Sequence, residues 1–427
     1  MDVSRRTLLA ALGLGALGTA AGCSSGTGTT GSADGPASGE ITFLTAIFEG
    51  ATGKETLEGQ LLPKFKESHP DVTVKVDYTN YSALNEKITT GLASGLMPDV
   101  LTLGVGWVEP FAFKKAIAPL PDELGTRYDY QERVLRPSRF DDKLYALPIV
   151  LDTRFVAYRK DHFAEAGITE TPKNFAELRA AAKELARNEG GRLTRAGLDP
   201  FSIDLRQCWE TFLFAGGGEL FSADGREVLF NSEAGVGALQ FFLDLVADGS
   251  ASFDLKTAQG QPSTLQQGTA SMMMVNNSLW INLEEENPEL IEDDRIGSFV
   301  LTGTRPALFQ GGTLVAQSAS SKHPAAARAL VEFLGSPDVV LPACEQRGAV
   351  PGMAELADSE YVKGNAFVDF ALSNLDQAFS EGGTPAWMEI REKIKPTLES
   401  AVVGQQSAQQ AIEQLAGVAN EAIGRLG

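Results

Sequence analysis

From Glu40 onward, short apolar runs alternate with amphipathic stretches. That alternation restricts the chain to α/β architectures, in which helices cover a mixed sheet. Ile41–Ala46 reads as a first strand, and Leu57, Leu61, Leu62 and Phe65 then fall on one helical face. Val72, Val74 and Val76 alternate as a second strand, and Leu84, Ile88 and Leu92 stripe the next helix. Val100–Val105 is almost wholly apolar, as a strand covered on both faces must be. Leu144–Leu151 and Phe155–Tyr158 are extended, with Asp152, Thr153 and Arg154 read as a break between them. Asn174 with Glu177 predicts a reciprocally capped helix start, and Gly190-Gly191 the end of that helix. Val236, Leu239, Leu243 and Val246 predict a helix closed by Gly249. Met272–Val275 and Leu314–Ala316 read as strands, and Pro324–Leu334 as a helix with proline in its first turn. Ser407 with Gln410 opens the last helix. A chain of 427 residues exceeds what one hydrophobic core organises, so two lobes are expected.

The N-terminus sets the compartment. Arg5-Arg6 precede an apolar run from Leu8 to Ala21, which is shorter than the roughly 20 residues a membrane span needs. The arginine pair resembles the twin-arginine export signal. Cys23 follows Ala20-Ala21-Gly22, which resembles a lipoprotein cleavage box with Ala20 in place of the usual leucine. Residues 1–22 are therefore expected to be a lipoprotein-type signal peptide, with Cys23 lipidated on the outer face of the membrane. Residues 23–39, rich in Ser, Gly and Thr, read as a flexible tether.

Lys and Arg number 36 against 56 Asp and Glu, a net charge of −20. So acidic a surface repels phosphate backbones, which argues against a nucleic-acid partner. Cys208 and Cys344 are far apart in sequence, and their pairing stays open. No catalytic motif of the G-x-S-x-G, H-E-x-x-H, P-loop or C-x-x-C kind occurs. His69, His162 and His323 stand apart from any partner at metal-ligand spacing and read as capping or surface residues. No metal or cofactor is implied.

Binding has better support. In open α/β sheets, ligands sit beyond the carboxyl ends of the strands. Glu49, Trp107, Asp152 and Trp280 fall there, a mixture of flat aromatics and carboxylates. Sugars suit that mixture, because their C–H faces are apolar and their hydroxyls donate to carboxylates. Trp209, inside the apolar Cys208–Phe214 helix, and Trp387, opening a helix, read as core anchors.

Four blocks also resemble the family-1 extracellular solute-binding proteins of ABC importers. They are Met97-Pro98-Asp99-Val100; Leu144–Asp152 running on to Val156–Lys160, Phe163–Gly167 and Thr171–Phe175; Gln267–Met272 with Trp280 beyond; and Gly311-Gly312 leading to Ser320–Pro324. Their order and spacing span the mature chain. The resemblance implies a periplasmic-binding-protein (Venus flytrap) fold: residues 40–151 with 309–348 in one lobe, and 152–308 with 349–427 in the other. Hinges are expected near Leu151 and Leu308, with a third crossing near Ala349. It further implies that Glu49, Trp107, Asp152, Trp280 and Gly311 face a carbohydrate, with Tyr81 and Arg347 beside them. The protein would then be a monomer that hands its ligand to ABC permease subunits. Relatives often carry an arginine shortly before the Trp387 position; here Ser380–Pro385 stands instead. A secreted carbohydrate-active enzyme, a sensor or adhesion module without a transporter, and a binder of a non-sugar solute such as a polyamine are the competing readings.

Overall fold

A computed structural model describes residues 35–257 and 260–426. The arginine pair, Cys23 and most of the tether lie outside the described residues. Three parallel strands open the chain: Gly39–Thr45 lies between Val72–Tyr78 and Val100–Gly104. Each is followed by a helix, because a parallel neighbour can be reached only by a crossover. The first strand starts at Gly39, where the tether was expected to end.

Two long antiparallel strands, Ala146–Arg159 and Pro306–Gln317, organise the rest. The Thr313–Gln317 end pairs with Val100–Gly104 and so belongs with the opening strands. The Arg154–Tyr158 end pairs with Ala270–Asn276, which runs parallel to Arg192–Asp199. The two long strands therefore join two groups of strands, giving a two-lobe α/β molecule. Leu151 lies at the midpoint and exchanges both backbone hydrogen bonds with Val350, each 2.9 Å, so a third segment passes beside the pair.

Apolar side chains of the first strand alternate between faces. Ile41 and Phe43 enter a core with Leu57, Leu147, Leu283 and Leu330, while Leu44 enters one with Leu101, Trp209, Phe212 and Leu415. Helices cover both faces, which is why the strands read as apolar runs.

Several sequence expectations change. Asp152, Thr153 and Arg154 do not interrupt a strand: their backbones continue the ladder against Gly311, Gln310 and Phe309. The polar run was misread as a break because its side chains find partners, Arg154 bonding Asp152 and Gln207, and Thr153 bonding Asn277. Gly190-Gly191 does not end a helix. The helix stops at Leu185, and the glycines, with φ of +58° and +79°, turn the hairpin between Arg187–Glu189 and Arg192–Asp199. The helix Glu233–Ala247 buries Ala238, Phe241, Phe242 and Leu245 beside Leu239, leaving Val246 exposed. His162 is buried, its Nδ1 bonded to the Ser271 hydroxyl, and burial pulls its pKa down to about 4. Cys208 and Cys344 are free thiols, one in each core. Among the described residues no helix is long and apolar enough to cross a membrane.

Candidate functional site

The parallel strands deliver their following loops to one edge, as their common direction requires. Glu49 opens the first helix, which runs from Gly50 to Ser68 through a π-helical stretch over Glu55–Leu61. Tyr81 begins the helix Tyr81–Ser94, whose start is fixed by the Asn80 side chain accepting from Ala83 N–H. Arg347, the last residue of Pro337–Arg347, reaches across to donate to the Ile47 carbonyl at 3.1 Å. Tyr81 keeps 37% of its surface open, yet its hydroxyl end is enclosed and bonded to Thr313. That enclosure raises the phenol pKa above its ordinary value; Arg347 opposes the rise, and Asp152 and Glu49 add to it. Asp152 stands opposite Gly311 in the ladder. Glu49, Tyr81, Asp152, Gly311 and Arg347 are therefore brought together.

Trp107 stands at the next strand end, 2% exposed, with its indole against Gly104 and Phe111. The Arg391 guanidinium lies 5.3 Å from its ring centroid. Arg391 belongs to Trp387–Val402, a helix packed on Leu205–Ala215 and Ala408–Gly424 in the other lobe, so Trp107 sits where the lobes meet. Behind it is a buried charged cluster. Arg206 holds Glu210 at 3.1 Å and Asp204 at 3.3 Å and pairs with Glu381; Arg391 lies 3.9 Å from Glu381. Burial raises the Glu210 carboxyl to about 7 despite Arg206, and burial together with the Arg206 charge lowers Arg391 to about 10. Burial also raises Glu109, at the lobe junction, to about 7. Arg154 ties the two regions together, bonding Asp152 at 2.9 Å and the Gln207 side chain at 2.9 Å.

Among the described residues, two buried donors here, Trp387 Nε1 and Arg391 Nε, have no hydrogen-bond partner. Buried donors are rarely left so unless something else completes them. Trp387, expected from sequence to be a core anchor, is fully buried, and Arg391 was not singled out. The available signal was their i, i+4 spacing, which puts indole and guanidinium on one helix face.

Trp280 is not brought to this junction. It lies in the first turn of Leu279–Glu286, packs 5.2 Å from Phe367 and donates to Glu284 at 2.7 Å. Its core lies on the opposite face of the sheet from that of Trp107. There it borders a cavity of about 340 Å³ with Tyr158, Lys160 and Asp294. A second cavity, about 810 Å³, runs along the helix Tyr81–Ser94 and is also away from the strand-end residues.

The profile of the family described as bacterial extracellular solute-binding protein matches residues 50–340. The diacetylchitobiose binding protein DasA of Streptomyces coelicolor is 26% identical over 436 residues, covering 98% of each chain. Among solved structures, the GacH receptor of Streptomyces glaucescens, studied unliganded and with acarbose, superposes with a TM-score of 0.75 at 24% identity, over 91% of this chain and 99% of that one. The sugar-binding protein MalE of Xanthomonas citri superposes with a TM-score of 0.76 at 22% identity, over 91% and 98%.

Proposed function

This chain belongs to the bacterial extracellular solute-binding proteins, and from that premise we propose that it holds a sugar or oligosaccharide between its lobes and delivers it to the permease subunits of an ABC importer. The observation that carries the reading is the Arg391 guanidinium over the Trp107 indole where the lobes meet, its buried Nε without a partner among the described residues. A ligand hydroxyl is the partner that donor lacks, and opening of the lobes uncovers the indole for sugar C–H groups. Glu49, Tyr81, Asp152, Gly311 and Arg347 supply acceptors and donors at the other end of the same junction. Trp280 is left out, because its indole serves its own lobe. DasA binds diacetylchitobiose and the GacH receptor acarbose, which agrees with a carbohydrate here.

The protein acts by binding, without turnover. Contacts from the second lobe exist only when the lobes close, so the ligand shifts the population by its differential affinity for the closed form. Residues 1–22 direct export and the Cys23 lipid tethers a monomer to the outer face of the membrane.

A thermal-shift screen tests the ligand class, since only a bound native state gains stability. The panel is diacetylchitobiose, maltotriose, mannotriose, acarbose and spermidine. A rise with at least one saccharide, with the saccharide recovered intact, is expected. A rise with spermidine alone would replace sugar by polyamine, and steady release of smaller saccharides would make the protein an enzyme.

A further inference from the structure

We propose that Gly106 and Gly382 are positioning residues for ligand capture: their backbones meet across the two lobes and form the seat on which the lobes close. This goes beyond the ligand assignment and rests only on the closing of the two-lobe fold.

Gly106 follows the strand Val100–Gly104, and Gly382 lies in the loop between Ala378–Ser380 and the helix at Trp387. A Cβ placed on Gly382 would lie 2.9 Å from the Gly106 Cα. One placed on Gly106 would lie 3.0 Å from the Glu381 carbonyl oxygen and 3.0 Å from Trp387 Nε1. No side chain fits between these backbones without moving them. Both residues also have left-handed backbones, φ +84° and +103°, where a Cβ is strained in any case. Glycine is thus required twice over at a contact between segments that only the crossing strands connect.

The rest of the loop is built to hold that contact. Gly383, φ +95°, offers its N–H to the Glu109 carboxylate of the facing lobe. Behind it, a Cβ on Gly225 would lie 2.5 Å from the Gly383 carbonyl oxygen, so the turn at Gly225 backs the loop. Glu381 is fixed by Arg206. One lobe therefore presents a braced glycine surface, and the other a single glycine beside Trp107. Contact between them places Trp107 under Arg391 and Gly106 against Trp387 Nε1, so the residues act through that placement rather than by touching ligand.

The test has two arms, both in a full chain carrying Cys23→Ser. In the first, Gly106→Trp and Gly382→Trp are compared with the parent by small-angle scattering without ligand. A larger radius of gyration in both variants, with the far-ultraviolet circular dichroism of the parent, is expected, because a bulky side chain in the seat holds the lobes apart. Radii equal to that of the parent overturn the proposal. In the second, Gly106→Ala and Gly382→Ala are compared with Gly404→Ala, where φ is +78° and a Cβ meets nothing within 4 Å. The first two are expected to weaken the panel saccharide that binds by roughly tenfold or more while their unliganded melting temperatures match that of the control. Equal affinities in all three variants overturn the proposal. If no saccharide in the panel binds, the ligand assignment falls and the scattering arm decides this inference alone.

Discussion

Arg206 and Glu210 show what burial does to a charge in this molecule. They are 3% and 0% exposed, and Asp204, Glu381 and Arg391 complete their surroundings. Removing one member leaves uncompensated charge, so Arg206→Met should cost about 3–5 kcal/mol in denaturant unfolding. Glu210 carries a pH signature. Its carboxyl titrates near 7 when folded against an ordinary 4.5. Between those values the folded protein binds a proton that the unfolded chain releases, so stability falls as pH rises through that window. Glu210→Gln should flatten the melting-temperature profile between pH 5 and pH 7; an unchanged slope would assign the effect elsewhere. Trp280 makes the opposite point. Read from sequence as a ligand platform, it is 8% exposed, packed on Phe367 and bonded to Glu284. Trp280→Ala should cost about 3–5 kcal/mol while the folded fraction keeps its sugar affinity. Strand-end position identified Glu49, whose charge bears on Tyr81 together with that of Asp152, and Trp107, which meets Arg391. Position alone cannot say which face a helix residue takes, and that is how Trp280 was included and Arg391 missed.

At the scale of elements, local signals with a built-in partner were legible and those depending on distant chain were not. The Ser407–Gln410 capping box forms as read, and Asn174 caps its helix as read by accepting from Glu177 N–H, while the Glu177 carboxylate returns to the Lys173 N–H and the Asn174 side-chain amide; each closes within about one turn. The helix Pro324–Leu334 also keeps its predicted bounds. The long strands were not legible. Ala146–Arg159 looked like two strands because its polar centre is satisfied by Gln207 and Asn277, 53 and 124 residues away. The third segment is equally remote in sequence, with Val350 donating to Leu151 at 2.9 Å and accepting in return. Proline at 350 removes that donor, so Val350→Pro should lower stability by about 3 kcal/mol in urea unfolding. A cost below about 0.5 kcal/mol would mean that this strap contributes little to the junction.

For the whole molecule, charge decides between ligand classes. The chain carries −20, and closing the lobes brings Glu49, Asp152, Asp204, Glu109 and Glu381 toward one another. Arg154, Arg206, Arg347 and Arg391 neutralise most of that local excess, so a neutral sugar gains nothing from long-range attraction. The remaining acidic field still opposes closure, and added salt screens it over about 8 Å at physiological ionic strength. Affinity for a neutral saccharide should therefore hold steady or rise slightly between 20 mM and 500 mM NaCl. A polyamine would behave oppositely, because its attraction to the same field is what salt removes. Titration calorimetry at the two salt concentrations reads this directly. A steep loss of saccharide affinity with salt would show that the acidic groups bind the ligand through net charge, and would move the chain from sugar capture toward cation capture.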